Sequence, residues 1–95
     1  MRVLWGRAAL DDLKKIRAYI AEHHPAEAHT IALKIVGAAR RLEDNPDIGP
    51  VLGTGGFRRL VVTGSVYVLI YRVQHDVVSV FEVFDARRRR PRTRV

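Results

Sequence analysis

The chain has 95 residues, no cysteine and a formal net charge of +7. That length makes one domain with one modest core, burying roughly two-thirds of the unfolded surface, and the missing thiols exclude a disulfide framework and a thiolate metal centre. No run of about 18 apolar residues occurs, so no helix is expected to span a membrane; the stretch MRVLWGRAALDD lacks the features of a signal peptide, which predicts a cytoplasmic protein.

Arg2–Gly6 (RVLWG) is a short β-prone run with Val3 and Trp5 on one parity. It is too short to stand alone and is expected to pair with a later sheet. From about Ala8 to His23 the period becomes helical: Leu10, Leu13, Ile16 and Ile20 recur, Ala9 widens the stripe, and Asp12, Lys15, Arg17 and Glu22 fall largely outside it. Asp11 and Asp12 lie near the expected first turn, where carboxylates oppose the positive end of the helix dipole. His24-Pro25 ends this helix and begins another, because proline disfavours helix at the residue before it and suits the first helical position. Ala28, Ile31, Ala32, Ile35, Ala39 and Leu42 form a second stripe, and Asn45-Pro46 stops it. So short a break makes an antiparallel helical hairpin.

Residues 47–56 (DIGPVLGTGG) are glycine-rich and read as a loop. Residues 57–84 then hold three β-rich runs separated by Thr63-Gly64-Ser65 and Gln74-His75-Asp76, a three-stranded antiparallel meander. The middle run, Val66–Val73, is apolar on both parities apart from Arg72, as a central strand covered on both faces would be. The fold class predicted is α+β, in the order β-α-α-β-β-β, with the helical hairpin packed on a mostly antiparallel sheet. Residues 1–86 form the single domain and residues 87–95 an arginine-rich tail.

The charge is unevenly placed. Residues 1–56 carry eight Lys/Arg and seven Asp/Glu (+1); residues 57–95 carry nine and three (+6), all nine of them arginine. Six are Arg87, Arg88, Arg89, Arg90, Arg92 and Arg94. A run of like charges at a chain end is ordinarily solvated and unstructured. The sharper reading is an interaction site, because guanidinium groups clamp carboxylate and phosphate with paired bonds. His23, His24 and His29 lack the i, i+3 or i+4 spacing of helical metal ligands, so no metal and no other cofactor is expected.

Several segments carry a resemblance: Ala9–Ile20 (A-x-x-D-L-x-x-I-x-x-Y-I), Pro25-x-x-Ala28, Leu42-x-x-x-Pro46-x-x-Gly49, Arg58-Arg59-Leu60-Val61-Val62, Tyr67–Arg72, and Val83-Phe84-Asp85-Ala86-Arg87-Arg88. In this order and at this length the chain resembles toxins of the RelE/ParE superfamily of bacterial type II toxin–antitoxin systems, nearer to ParE. The resemblance covers nearly all of residues 1–90. It implies a small toxin silenced by a cognate, ParD-like antitoxin with a ribbon-helix-helix start, and operator DNA met only through the toxin–antitoxin complex. ParE-like members inhibit DNA gyrase; RelE-like members cut mRNA on the ribosome.

Metal-free RNA cleavage needs a base, an acid and cations at the phosphate. RelE-like nucleases carry lysines near the strand corresponding to Phe57–Val62 and a tyrosine past the last strand; this chain has no lysine after Lys34 and no tyrosine in its tail. A nuclease would have to draw on Arg58, Arg72, Arg87, Tyr71 and Asp85. Many ParE relatives have histidine where Asp85 stands, and the plainer reading of Asp85 is a carboxylate paired with neighbouring arginines. The favoured expectation is a toxin that binds DNA gyrase without chemistry of its own, through Arg59, Arg72, Arg87, Arg88, Arg89 and Arg90. An antitoxin helix and strand would cover Leu13, Ile16, Ile20, Ile31 and Ile35, with its acidic end on Arg58, Arg59 and Arg72.

Overall fold

A computed structural model describes residues 1–94. Its elements are β1 (Arg2–Trp5), α1 (Arg7–Ala21), α2 (Pro25–Arg41), β2 (Val51–Leu52), β3 (Phe57–Val61), β4 (Tyr67–Gln74) and β5 (Val77–Asp85). One five-stranded sheet has the order β1-β5-β4-β3-β2. β1 runs parallel to β5, and the other neighbours are antiparallel. β4 is therefore central, as its two-sided apolar sequence requires. The predicted α+β arrangement holds, with one strand more than expected. β2 lies inside the glycine-rich stretch read as loop, where two residues are too few to show any period.

The helices pack on one face of the sheet. Ala9, Ile35, Ala38, Ala39 and Leu42 meet Leu60, Val62, Tyr67, Leu69, Tyr71, Val78, Val80 and Val83 in the main core. Alanine at the contact lets each helix lie close to the sheet, while Ile35 and Leu42, wholly enclosed, each contribute on the order of 1.5–3 kcal/mol of burial free energy. Pro25 occupies the first turn of α2, as the sequence predicts. No helix is long and apolar enough to cross a membrane among the described residues.

The other sheet face has no helix. It carries a second cluster of Phe57, Val68, Ile70 and Phe84, with Leu52 and Phe81 against it. Its geometry depends on a bulge in β5. Ile70 pairs with Glu82 but Tyr71 with Val80, leaving Phe81 as the extra residue. A bulge shifts the side-chain alternation by one. Val80 and Val83 thus both face the helices although three residues apart, and Glu82 falls on the helix-free face beside Ile70.

Two expectations about α1 are corrected. The helix begins at Arg7, so Asp11 and Asp12 lie beyond its first turn and do not act as dipole partners there. Asp12, placed outside the apolar stripe by its charge, is 7 % exposed. Its Oδ2 accepts the Val83 backbone N–H at 3.1 Å. β1 stops pairing with β5 at Val80, so this carboxylate stands in for the missing strand at the open edge of β5.

Candidate functional site

Of the arginines that follow β5, Arg87, Arg88, Arg89 and Arg92 have their side chains bonded to the body of the protein. Asp85 takes Arg87 in a two-point pair, from Nε at 3.2 Å and Nη2 at 2.9 Å, and also accepts the Arg87 backbone N–H at 2.9 Å. The Arg87 guanidinium holds the Asp85 carboxyl below its ordinary range. Arg88 donates to the Tyr19 hydroxyl at 3.2 Å, its guanidinium carbon 5.1 Å from the ring centre. Arg89 lies 5.0 Å over the Phe84 ring and donates to Glu82 at 2.7 Å.

Glu82 is the anchor. It is 1 % exposed, on the sheet's helix-free face. Besides Arg89, it accepts the backbone N–H groups of Arg92 and Thr93 and the Thr93 hydroxyl, each near 2.9 Å. Burial pushes its carboxyl up, but these donors outweigh it and set the value at about 2. The Arg92 side chain then rounds the sheet edge, donating from Nη2 to both Asp12 oxygens at 2.7 Å. A buried carboxylate without partners would be costly. Arg92 serves both acids, its Nη2 on Asp12 at 2.7 Å and its Nε 3.3 Å from Glu82.

The remaining arginines divide by place. Arg58 donates to the Asp47 and Gly49 carbonyls at 3.2 and 2.8 Å and faces the Asp47 carboxylate at 3.5 Å. The Tyr71 hydroxyl donates to the Pro46 carbonyl at 2.7 Å and accepts the Gly49 N–H at 3.0 Å. Both side chains therefore brace the loop after α2, and Tyr71 is wholly enclosed. Arg72 lies on the opposite face, its guanidinium carbon 4.7 Å from the Phe57 ring centre and 5.2 Å from that of Phe81. Its buried Nε is without a hydrogen-bond partner. Arg59, exposed, shares that face. The five side chains available to a nuclease do not converge. Arg58 and Tyr71 stand at one end of β4, Arg72 projects from the other face, and Asp85 with Arg87 lies at the far end of the strands, opposite Tyr67.

Between the helical hairpin and the ends of β4 and β5 lies a groove of about 460 Å³, lined by Tyr19, Ile20, Ile31, Val66, Tyr67 and Arg87 among others. A second hollow of about 260 Å³, on the other side of Tyr19, is lined by Lys15, Ile16, Asp85 and Arg88. Burial, and then the nearby Asp85 charge, raise the Tyr67 hydroxyl above its ordinary value. Of the apolar residues expected to meet an antitoxin, Ile16, Ile20 and Ile31 line these hollows. Leu13 is half-buried against the main core, and Ile35 is fully enclosed and reaches no surface. Tyr19, 56 % exposed, divides the two hollows; neither it nor Glu82 stands out in the sequence as a site residue. Among the described residues no group of three His, Cys, Asp or Glu side chains could hold a metal ion.

Comparison with known proteins bears on this arrangement. Residues 3–90 match the family described as ParE toxin of type II toxin–antitoxin system, parDE. A relative named Toxin RelE2, from Caulobacter vibrioides, is 37 % identical over 87 residues, spanning 92 % of this chain and 97 % of that protein. The structure described as the chromosomal ParDE TA system from P. aeruginosa superposes with a TM-score of 0.78 at 22 % identity, covering 87 % of this chain and 92 % of that one. That likeness shows a shared fold. With a family match spanning almost the whole chain, the protein belongs to the ParE toxins of type II toxin–antitoxin systems.

Proposed function

We propose that this toxin acts by binding DNA gyrase and has no catalysis of its own. The observation that carries this reading is the condition of the strand end. Arginines are concentrated there, while the proton-transfer groups beside them are occupied or poorly matched to base work: Asp85 is clamped by Arg87, and the Tyr67 hydroxyl is raised by burial. Arg88 and Arg90 on the tail, with Arg87 beside them, present the contact, and Arg59 and Arg72 add charge on the helix-free face. A cognate ParD-like antitoxin with a ribbon-helix-helix start lays an amphipathic helix into the groove at Tyr19, Ile20 and Ile31, and operator DNA is met only through that complex. The target is cytoplasmic.

The test is supercoiling by purified gyrase with the toxin in excess. Loss of supercoiling, with accumulation of cleaved DNA complexes and relief by the antitoxin, is expected. Unchanged supercoiling together with codon-phased cuts in ribosome-bound transcripts would overturn the reading in favour of an mRNA endonuclease.

A further inference from the structure

Arg89 and Arg92 both stand on one carboxylate. Arg89 Nη1 reaches Glu82 at 2.7 Å, and the Arg92 backbone N–H reaches it at 2.9 and 3.0 Å. The chain between them, Arg90-Pro91, is thus a short loop with both feet on Glu82. Arg89 Nη1 also donates to the Arg90 carbonyl at 3.2 Å, tightening that loop, and Pro91, half-buried, restricts its own φ. On the far side Arg92 is held by Asp12, and Thr93 adds two more bonds to Glu82. Arg90 is exposed at the apex, with no carboxylate partner among the described residues. Arg88, one step before the loop, is braced by the Tyr19 hydroxyl and ring.

Six arginines within eight positions repel one another, and an unrestrained run would be extended and mobile. Here the two buried acids instead divide the four from Arg88 to Arg92 into two sets. Arg89 and Arg92 are consumed in holding the tail, while Arg88 and Arg90 are displayed at fixed places. Order established before binding removes a cost that a loose tail would meet on engaging its target.

We infer that Asp12 and Glu82 are positioning residues that hold the tail so that Arg88 and Arg90 meet the target. Neither acid touches the target; each acts through Arg89 and Arg92. The inference rests on the proposed reading of the tail as a target contact.

The experiment compares full-length variants for gyrase inhibition and for amide exchange over residues 87–94. Glu82→Gln, which keeps side-chain volume, should raise exchange at Arg92 and Thr93 and weaken inhibition about tenfold as preorganisation is lost. Arg92→Ala changes a side chain that is 54 % exposed, so it carries the test if Glu82→Gln does not fold. Arg90→Ala should weaken inhibition without altering exchange, and combining it with Arg92→Ala should cost less than the product of the two single losses. Multiplicative losses would mean that Arg92 contacts the target directly, which contradicts the inference. Exchange that rises while inhibition stays at its original level would also overturn it. If Arg88→Ala with Arg90→Ala inhibits as well as the unaltered chain, or if the unaltered chain does not inhibit, the reading of the tail as a gyrase contact fails, and the inference with it.

Discussion

Arg92 and Asp12 are 80 residues apart in sequence and joined by two 2.7 Å hydrogen bonds. Because Asp12 also accepts the Val83 N–H, one carboxylate ties together the first helix, the last strand and the tail. Glu82, the residue before Val83, secures the same tail from the helix-free face of the sheet. The cationic end of the molecule is therefore part of its tertiary structure.

Acid should release that end. The Glu82 carboxyl sits at about 2 against an ordinary 4.5. A depressed carboxylate contributes stability that is complete above its unfolded value and is lost as pH falls through its folded value. The contribution, on the order of 3 kcal/mol at neutral pH, should drain away between about pH 4.5 and pH 2. Thermal melts across that window should show Tm falling for the native chain. Glu82→Gln should melt lower at pH 7, with the gap closing towards pH 2.

The Tyr71 hydroxyl is expected to contribute to stability in addition to the burial of its ring in the main core. Tyr71→Phe leaves the ring in place but strands the Gly49 N–H and removes the donor to the Pro46 carbonyl. A cost of about 1–3 kcal/mol in urea unfolding follows from leaving a buried donor unpaired. Gly49→Ala should be at least as damaging, since an added Cβ would lie 2.8 Å from both the Arg59 carbonyl and the Tyr71 hydroxyl.

Ile20 and Ile35 share a sequence signature and should behave differently. Ile20 lines the open groove while packing partly against the main core, so Ile20→Glu should sharply weaken antitoxin binding in calorimetry, with a smaller fall in Tm than a change at Ile35 brings. Ile35 is wholly enclosed, and Ile35→Ala should cost about 2–5 kcal/mol of stability through the cavity left behind.

The β4–β5 turn holds a correctable strain. His75 and Asp76 both have positive φ, at 51° and 62°, the conformation of a two-residue hairpin turn that favours Asn-Gly. His75→Asn with Asp76→Gly should raise stability by about 1 kcal/mol, read as a higher denaturation midpoint with an unchanged slope.

Much of the fold was legible because its signals are local. The helical stripes, the Pro25 start and the turn residues around Gly64 and His75 each announce themselves over a few positions. Asp12 was legible by position and misjudged by type: three residues after Ala9 and four before Ile16, it lies on the buried stripe, yet its charge suggested solvent. Glu82 was hidden by the bulge at Phe81, which breaks the alternation needed to assign its face. A lone carboxylate within Val-Ser-Val-Phe-Glu-Val-Phe was nevertheless a clue, since burial there demands a cation. Only the Asp85–Arg87 pair, two residues apart, could be read locally; the order of the rest of the tail could not, because the acids that hold Arg89 and Arg92 lie 7 to 80 residues away.

The direct test of this account is amide exchange at Arg92 and Thr93 in the native protein at neutral pH. If both N–H groups are bonded to Glu82, they should exchange slowly alongside the amides of β5. Exchange at the rate of an unstructured peptide would contradict the anchored tail and the ordered arginine surface built on it.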